Sequence, residues 1–189
     1  KQIFNLCIKN NVNSIITNSN IKSGTDRVFR AYESLKKNYD LIVNLQGDLP
    51  IFKKELIKKT TNLFLDSKTE IASAVCELEN SEVKDSNIVK VNVELDKNNE
   101  GFAKDFLRLI RTKKNFYHHI GLYVYSPLSL KKFVKFDQTH NEIKRSLEQM
   151  RAIDNSMNIK VVKLNTYPPS VDTLKDLKKI RLLFKNINS

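Results

Sequence analysis

From Asp40 to Pro50 the chain runs Asp-Leu-Ile-Val-Asn-Leu-Gln-Gly-Asp-Leu-Pro, and this stretch constrains the fold most. Leu41, Ile42, Val43 and Leu45 form a near-continuous apolar run bounded by turn residues. A strand buried on both faces of a parallel sheet reads this way. Gln46, Gly47 and Asp48 follow where the run ends, and Pro50 forbids its simple continuation. Ligands of open α/β sheets bind beyond the carboxyl ends of strands. Asp48 is therefore expected to hold a divalent metal that in turn holds phosphate, although alone it also reads as a turn carboxylate.

The rest of the chain alternates between strand and helix patterns, which predicts an α/β architecture. An amphipathic helix carrying Ile3, Leu6 and Cys7 leads to a short strand over 13–17 and a polar loop ending at Gly24. Val28, Ala31, Tyr32 and Leu35 give the next helix its apolar face. A helix over 53–65 follows the central strand, with Leu56, Ile57, Leu63 and Phe64 inward, and then a strand over 71–76. Residues 88–95 alternate strictly, as a half-exposed antiparallel strand does, and 102–110 is the expected partner across a turn. The segment 87–118 is thus expected to project as a hairpin lobe and to make an oligomer contact.

His119 to Tyr125 is the next strand, and Ser126-Pro127 supplies an N-cap and N1 proline for a helix through Phe133. Thr139-His-Asn-Glu142 is a capping box, opening a helix with Ile143, Leu147, Met150 and Ile153 inward. A last strand over 158–164 precedes a helix capped by Val171-Asp172-Thr173, with Leu174, Leu177, Ile180, Leu183, Phe184 and Ile187 inside.

With 189 residues, 40% of them hydrophobic, the chain can bury one sizeable core, and residues 1–189 are read as a single domain. It contains no apolar run long enough to span a membrane. Its first ten residues lack the apolar core and cleavage site of a signal peptide. Cys7 and Cys76 have no metal-ligand spacing, which suits free thiols in a reducing, cytoplasmic setting. The net charge of +12 comes from scattered pairs such as Lys36-Lys37 and Lys58-Lys59. That distribution reads as a lysine-rich composition and not as a nucleic-acid footprint, and it would also attract small anions.

Four separated motifs carry the chemistry: Ser23-Gly-Thr-Asp-Arg27, Gln46-Gly-Asp48, His119-Ile-Gly-Leu-Tyr123 with Glu148-Gln149, and Val171-Asp-Thr173. In this order and at these intervals the chain resembles the 3-deoxy-D-manno-octulosonate (Kdo) cytidylyltransferases along its whole length. The resemblance implies a Rossmann-like, GT-A-like nucleotidyltransferase fold, a mixed sheet sandwiched by helices. It implies transfer of CMP from CTP to the anomeric hydroxyl of Kdo, releasing pyrophosphate, for lipopolysaccharide assembly, by a homodimer that uses Mg2+.

By that resemblance Asp48 and Asp172 are the catalytic carboxylates that hold the metal, since magnesium takes few protein ligands beside water and phosphate. Asp172 also reads as a helix cap. Ser23, Gly24, Thr25, Arg27, Gln46 and Gly47 are assigned to CTP. The residues are independently suited to this, because a helix N-terminus and a guanidinium favour anions. The resemblance assigns His119, Tyr123, Glu148 and Gln149 to the sugar, with Lys90 and Arg108 completing the site. His119 and Tyr123 are four apart on a strand and therefore share a face.

The chain departs from the family pattern in three places. Nothing matches the family's first buried strand and basic, glycine-containing phosphate loop, and residue 1 is not Met, so an N-terminally truncated copy that does not turn over CTP by itself is expected. Leu49 stands where the family usually has Glu, and Ser170 where it often has Gly. Another acidic sugar, an 8-amino analogue or a nonulosonate, remains an alternative acceptor. A basic binding module or decayed relative without catalysis is the alternative from another class.

Overall fold

The structure is a computed structural model that describes residues 1–21, 23–171 and 173–187. Six strands form one mixed sheet: β1 (Ile42–Leu45), β2 (Ile71–Cys76), β3 (Lys90–Val93), β4 (Glu100–Leu107), β5 (Phe116–Tyr125) and β6 (Ile159–Leu164). Their order is β1-β5-β2-β6-β4-β3, and β3 pairs a second time with β5. Five strands therefore close into a ring, and β1 is left as an outer edge.

The pairing along β5 positions the site. One side of β5 meets β2 from Tyr125 to His118. The other side is shared, because β3 takes Phe116–His118 and β1 takes Leu122–Tyr125. Between them His119, Ile120 and Gly121 have no paired strand on that side, although the His119 amide reaches the Val89 carbonyl at 2.9 Å. The sheet opens there.

Alternate β5 side chains serve two cores. His119, Tyr123 and Tyr125 stand on one face with ring centroids 5.2 and 6.3 Å apart in succession. That face packs with Phe29, Phe106, Phe133 and Met150. Ile120, Leu122 and Val124 face the other way, toward Leu49, Leu56 and Leu63. Helices α2 (Gly24–Leu35) and α4 (Pro127–Val134) cover the first face, and α3 (Lys54–Asn62) covers the second. This is the expected sheet between helices.

Strong local signals produce the elements they predict. Ser126 caps α4 by accepting from the Ser129 amide, with Pro127 in the first turn. Thr139 and Glu142 form both halves of the capping box of α5 (His140–Arg145).

Several expectations need correction. The central strand is neither parallel nor buried on both faces, since β1 is an antiparallel edge with Val43 37% exposed. Residues 13–17 form no strand, because a strand needs a hydrogen-bonded neighbour and none among the described residues lies beside them. The 87–118 hairpin forms, and its strands are also tied into the rest of the sheet, because β4 bonds to β6 and β3 to β5.

The capping-box helix stops at Ser146, which adopts a left-handed conformation (φ 52°). The chain is thereby re-aimed into α6 (Met150–Asp154), so Leu147 and Met150 are buried while Ile143 lies exposed. Of the inward face expected for α7 (Leu174–Ile187), Ile180 is buried, whereas Leu174, Leu183 and Phe184 are exposed. Helix α1 (Gln2–Lys9) buries none of its residues. No described helix is long and apolar enough to cross a membrane.

Candidate active site

A cleft of about 930 Å3 occupies the place where β1 and β3 part from β5. Gln46 and Asp48 reach it from the end of β1, and His119, Gly121 and Tyr123 from β5. Glu148 and Gln149 enter from the turn between α5 and α6, and Arg108 from beyond β4. Seven residues singled out in the sequence are thus gathered from four separate segments.

Asp48 is half-buried on the cleft wall, and its backbone carbonyl accepts from the Val171 amide at 2.9 Å. That bond draws the segment leading to the last helix against the Gln-Gly-Asp turn. Thr173 caps α7, its hydroxyl donating to Asp176 Oδ2 at 2.6 Å while the Asp176 amide returns a bond at 3.3 Å. Asp172 lies outside the described residues. A hard, cleft-facing carboxylate at a strand end suits a magnesium ion, and Asp48 is such a group.

Gln46 lies across Gly121. A Cβ at position 121 would meet Gln46 Oε1 at 2.8 Å, so any other residue there would push the Gln46 carboxamide aside. Leu49 belongs to the buried core at this turn. It is 4% exposed and packs with Leu56 and Ile120, so it anchors the turn by burial. Ser170 keeps a negative φ and needs no glycine.

His119 is 8% exposed, and its Nε2 lies 2.9 Å from Ser73 Oγ. Burial, with His118 adding to it, pushes its pKa down to about 3, so the ring is neutral. Burial likewise raises Tyr123 well above the usual phenol range, so it stays protonated. His118 faces the other way, within 2.9 Å of Glu82 and against the Tyr167 ring.

Glu148 joins the two halves of the expected site. Its Oε1 accepts from the Thr25 amide at 3.2 Å, at the N-terminus of α2, where the helix dipole favours a carboxylate. Ser23 is the N-cap of that helix, accepting from the Asp26 amide. Gly24 lies beside Glu148, and Thr25 is buried. The 23–27 segment therefore stands behind Glu148 and does not line the cleft.

Two basic residues have duties other than those expected. Arg27 donates to Thr17 Oγ1 and to the Asn18 and Ile21 carbonyls, tying the 17–21 loop to α2. Lys90 is 0% exposed, and its ammonium donates to the Asp85, Ile88 and Arg108 carbonyls. It is not among the residues lining the cleft, and its bonds fix the loop before β3. Arg108 does line the cleft, but its guanidinium also ties the Ser86 and Ser146 carbonyls together.

Sequence reasoning missed Ser73 and Gly121 as parts of this arrangement. Each carried a signal: a lone hydroxyl in the apolar run of β2, and a glycine inside a strand.

Known proteins share both the sequence pattern and the fold. The cytidylyltransferase family model matches residues 1–160. The chain is 35% identical over 185 residues to the 3-deoxy-manno-octulosonate cytidylyltransferase of Parabacteroides distasonis, covering 91% of this chain and 74% of that protein. It is 38% identical over 173 residues to the enzyme of the same name from Bartonella tribocorum, covering 88% and 71%. Among solved structures, a CMP:2-keto-3-deoxy-manno-octonic acid synthetase complexed with CTP superposes with a TM-score of 0.84 at 24% identity, over 98% of this chain and 77% of that one. A UDP-glucose pyrophosphorylase shares the fold, with a TM-score of 0.67 at 13% identity over all of this chain and 69% of that one. The chain belongs to the cytidylyltransferase family, with the 3-deoxy-manno-octulosonate cytidylyltransferases.

Proposed function

We propose that this protein transfers CMP from CTP to the anomeric hydroxyl of Kdo, giving CMP-Kdo and pyrophosphate for lipopolysaccharide assembly. The hydroxyl oxygen forms a bond to the α-phosphorus, the bond from that phosphorus to the β-phosphate bridge breaks, and the hydroxyl proton is released. The observation that carries this reading is a cleft that holds Asp48 together with His119, Tyr123, Glu148 and Gln149. One side offers a carboxylate at a strand end. The other offers the donors and acceptors that a polyhydroxylated acid needs.

In this reading magnesium is held by Asp48 and Asp172, and when bound it offsets the charge that builds on the phosphate oxygens. Gln46, lying across Gly121, faces the nucleotide, Ser23, Gly24 and Thr25 shape the site from behind Glu148, and Arg27 holds the 17–21 loop against the same helix. The active form is a homodimer, which sedimentation velocity reads directly.

Asp48→Asn is the test. In the product of the whole open reading frame that contains these residues, Kdo- and CTP-dependent pyrophosphate release should fall at least about a hundredfold, a loss typical of removing one group that stabilises developing charge. An unchanged rate would sink the assignment. Gly121→Ala should displace the Gln46 carboxamide and raise the dissociation constant for CTP about five- to tenfold, the value of roughly one hydrogen bond. Its melting temperature should move little, because the atom it meets is the free end of a flexible side chain. Calorimetric titration with CTP measures both the wild type and the variant.

A further inference from the structure

We propose that Ser73 fixes His119 as the neutral imidazole carrying its proton on Nε2, and so presents Nδ1 as a standing acceptor for a hydroxyl of the bound sugar. The sugar half of this inference rests on the function proposed above. The tautomer half does not.

The argument starts from a slip in the sheet. The register of β2 against β5 shifts between Ser73, opposite Tyr123, and Ala74, opposite Ile120. Gly121 and Leu122 are left without a partner on β2. The Ser73 hydroxyl takes over the Leu122 carbonyl at 2.7 Å, while the Ile120 carbonyl at 3.5 Å is too distant to compete. Ser73 is 0% exposed, so this bond is made out of water's reach.

A serine hydroxyl has one proton to donate and two lone pairs with which to accept. Its proton is committed to Leu122, since a carbonyl cannot donate. At 2.9 Å from the same oxygen, His119 Nε2 must therefore be the donor. A neutral ring with its proton on Nε2 has a lone pair on Nδ1. Burial holds the ring neutral throughout the physiological range.

Nδ1 has no hydrogen-bond partner among the described residues, and the ring belongs to the cleft wall. The Phe106 ring lies 5.5 Å away at 87° to it, and Tyr123 lies 5.2 Å away, which holds its plane. An acceptor fixed in place on the cleft wall favours a donor opposite it. It accepts a hydroxyl and disfavours an ether oxygen or a carboxylate at the same place. Ser73 is thus a positioning residue, acting on the sugar through His119.

Long-range proton–nitrogen NMR on histidine-labelled protein without substrate tests the first half. Wild-type His119 should show a protonated Nε2 and an unprotonated Nδ1, unchanged from about pH 5.5 to pH 8.5. Ser73→Ala should give mixed tautomers, and Ser73→Thr, which keeps the hydroxyl, should restore the wild-type pattern. A wild-type ring protonated on Nδ1, or on both nitrogens at pH 7, would overturn the inference. Kinetics on the product of the whole open reading frame test the second half. Ser73→Ala should raise KM for Kdo about tenfold, the loss of one neutral hydrogen bond, and leave KM for CTP within about twofold. Mixed tautomers with an unchanged sugar KM would overturn the acceptor role alone. No Kdo-dependent turnover in the wild type would overturn that role together with the proposed function, while the tautomer result would stand.

Discussion

Replacing Arg151 by methionine should cost about 3–5 kcal/mol of stability and lower the melting temperature by about 10 °C. Arg151 is 2% exposed and Glu142 4%. The guanidinium meets the carboxylate twice, Nε to Oε2 at 2.9 Å and Nη2 to Oε1 at 2.6 Å. Burial alone would raise the Glu142 pKa, but the Arg151 bonds win and hold it below the usual carboxylate range. Glu142 also closes the α5 capping box and accepts from Gln138, so none of its capacity is wasted. Arg151 adds Asp26 of α2 at 3.7 Å and the Phe133 ring of α4 at 4.7 Å. One guanidinium therefore ties α2, α4, α5 and α6 together beside the cleft.

Methionine would fill much of the volume but leave Glu142 buried without its counter-charge, and that is the source of the large effect. The paired variant Arg151→Met with Glu142→Leu should recover roughly half of the loss, because no charge is then stranded. Chemical denaturation of the two variants and the wild type measures both quantities. A loss below about 1 kcal/mol in the single variant would show that the pair is not closed to water as its burial implies.

The part of this molecule that was legible in the sequence is the part that local chemistry decides. Ser126-Pro127 and Thr139–Glu142 cap helices because a side-chain oxygen satisfies an amide three residues away. The shared face of His119 and Tyr123 follows from strand periodicity. Features that depend on what lies alongside were not legible. The apolar run before Asp48 looks the same whether its strand is central or at an edge, and here it is an edge.

Lys90 and Arg27 illustrate the same limit within the site. A lysine near a candidate cleft reads as a ligand residue, but three carbonyls left over by the turns on either side claim this one. Arg27 is claimed by the 17–21 loop in the same way. Backbone carbonyls that need donors are invisible until the turns that expose them are known. Asp48, His119, Tyr123, Glu148 and Gln149 were singled out from the sequence, and the structure brings them to one cleft. Leu49, by contrast, stands where the family usually has Glu and is a core residue.

Acid should cost the wild-type protein more stability than it costs a variant without the His119 ring. The sign follows from where the proton binds. In the unfolded chain His119 titrates near 6.5, and in the folded protein near 3, because burial penalises the imidazolium and the neighbouring His118 adds to that penalty. Between those values the unfolded chain holds a proton that the folded one cannot. Stability from this source is intact above pH 6.5 and declines as the pH falls toward 3. At pH 4.5, two units below the unfolded value, the loss is about 3 kcal/mol. His119→Gln removes the titration while keeping an amide that can donate to Ser73. Other groups also titrate in this window, including Glu142 and Asp66 with lowered values, so the comparison rests on the difference between the two proteins. Unfolding free energy measured at pH 7.5 and pH 4.5 should fall about 3 kcal/mol further in the wild type than in the variant. Equal losses would mean that His119 takes up its proton within the folded protein, and the closed wall that holds it neutral would have to be abandoned.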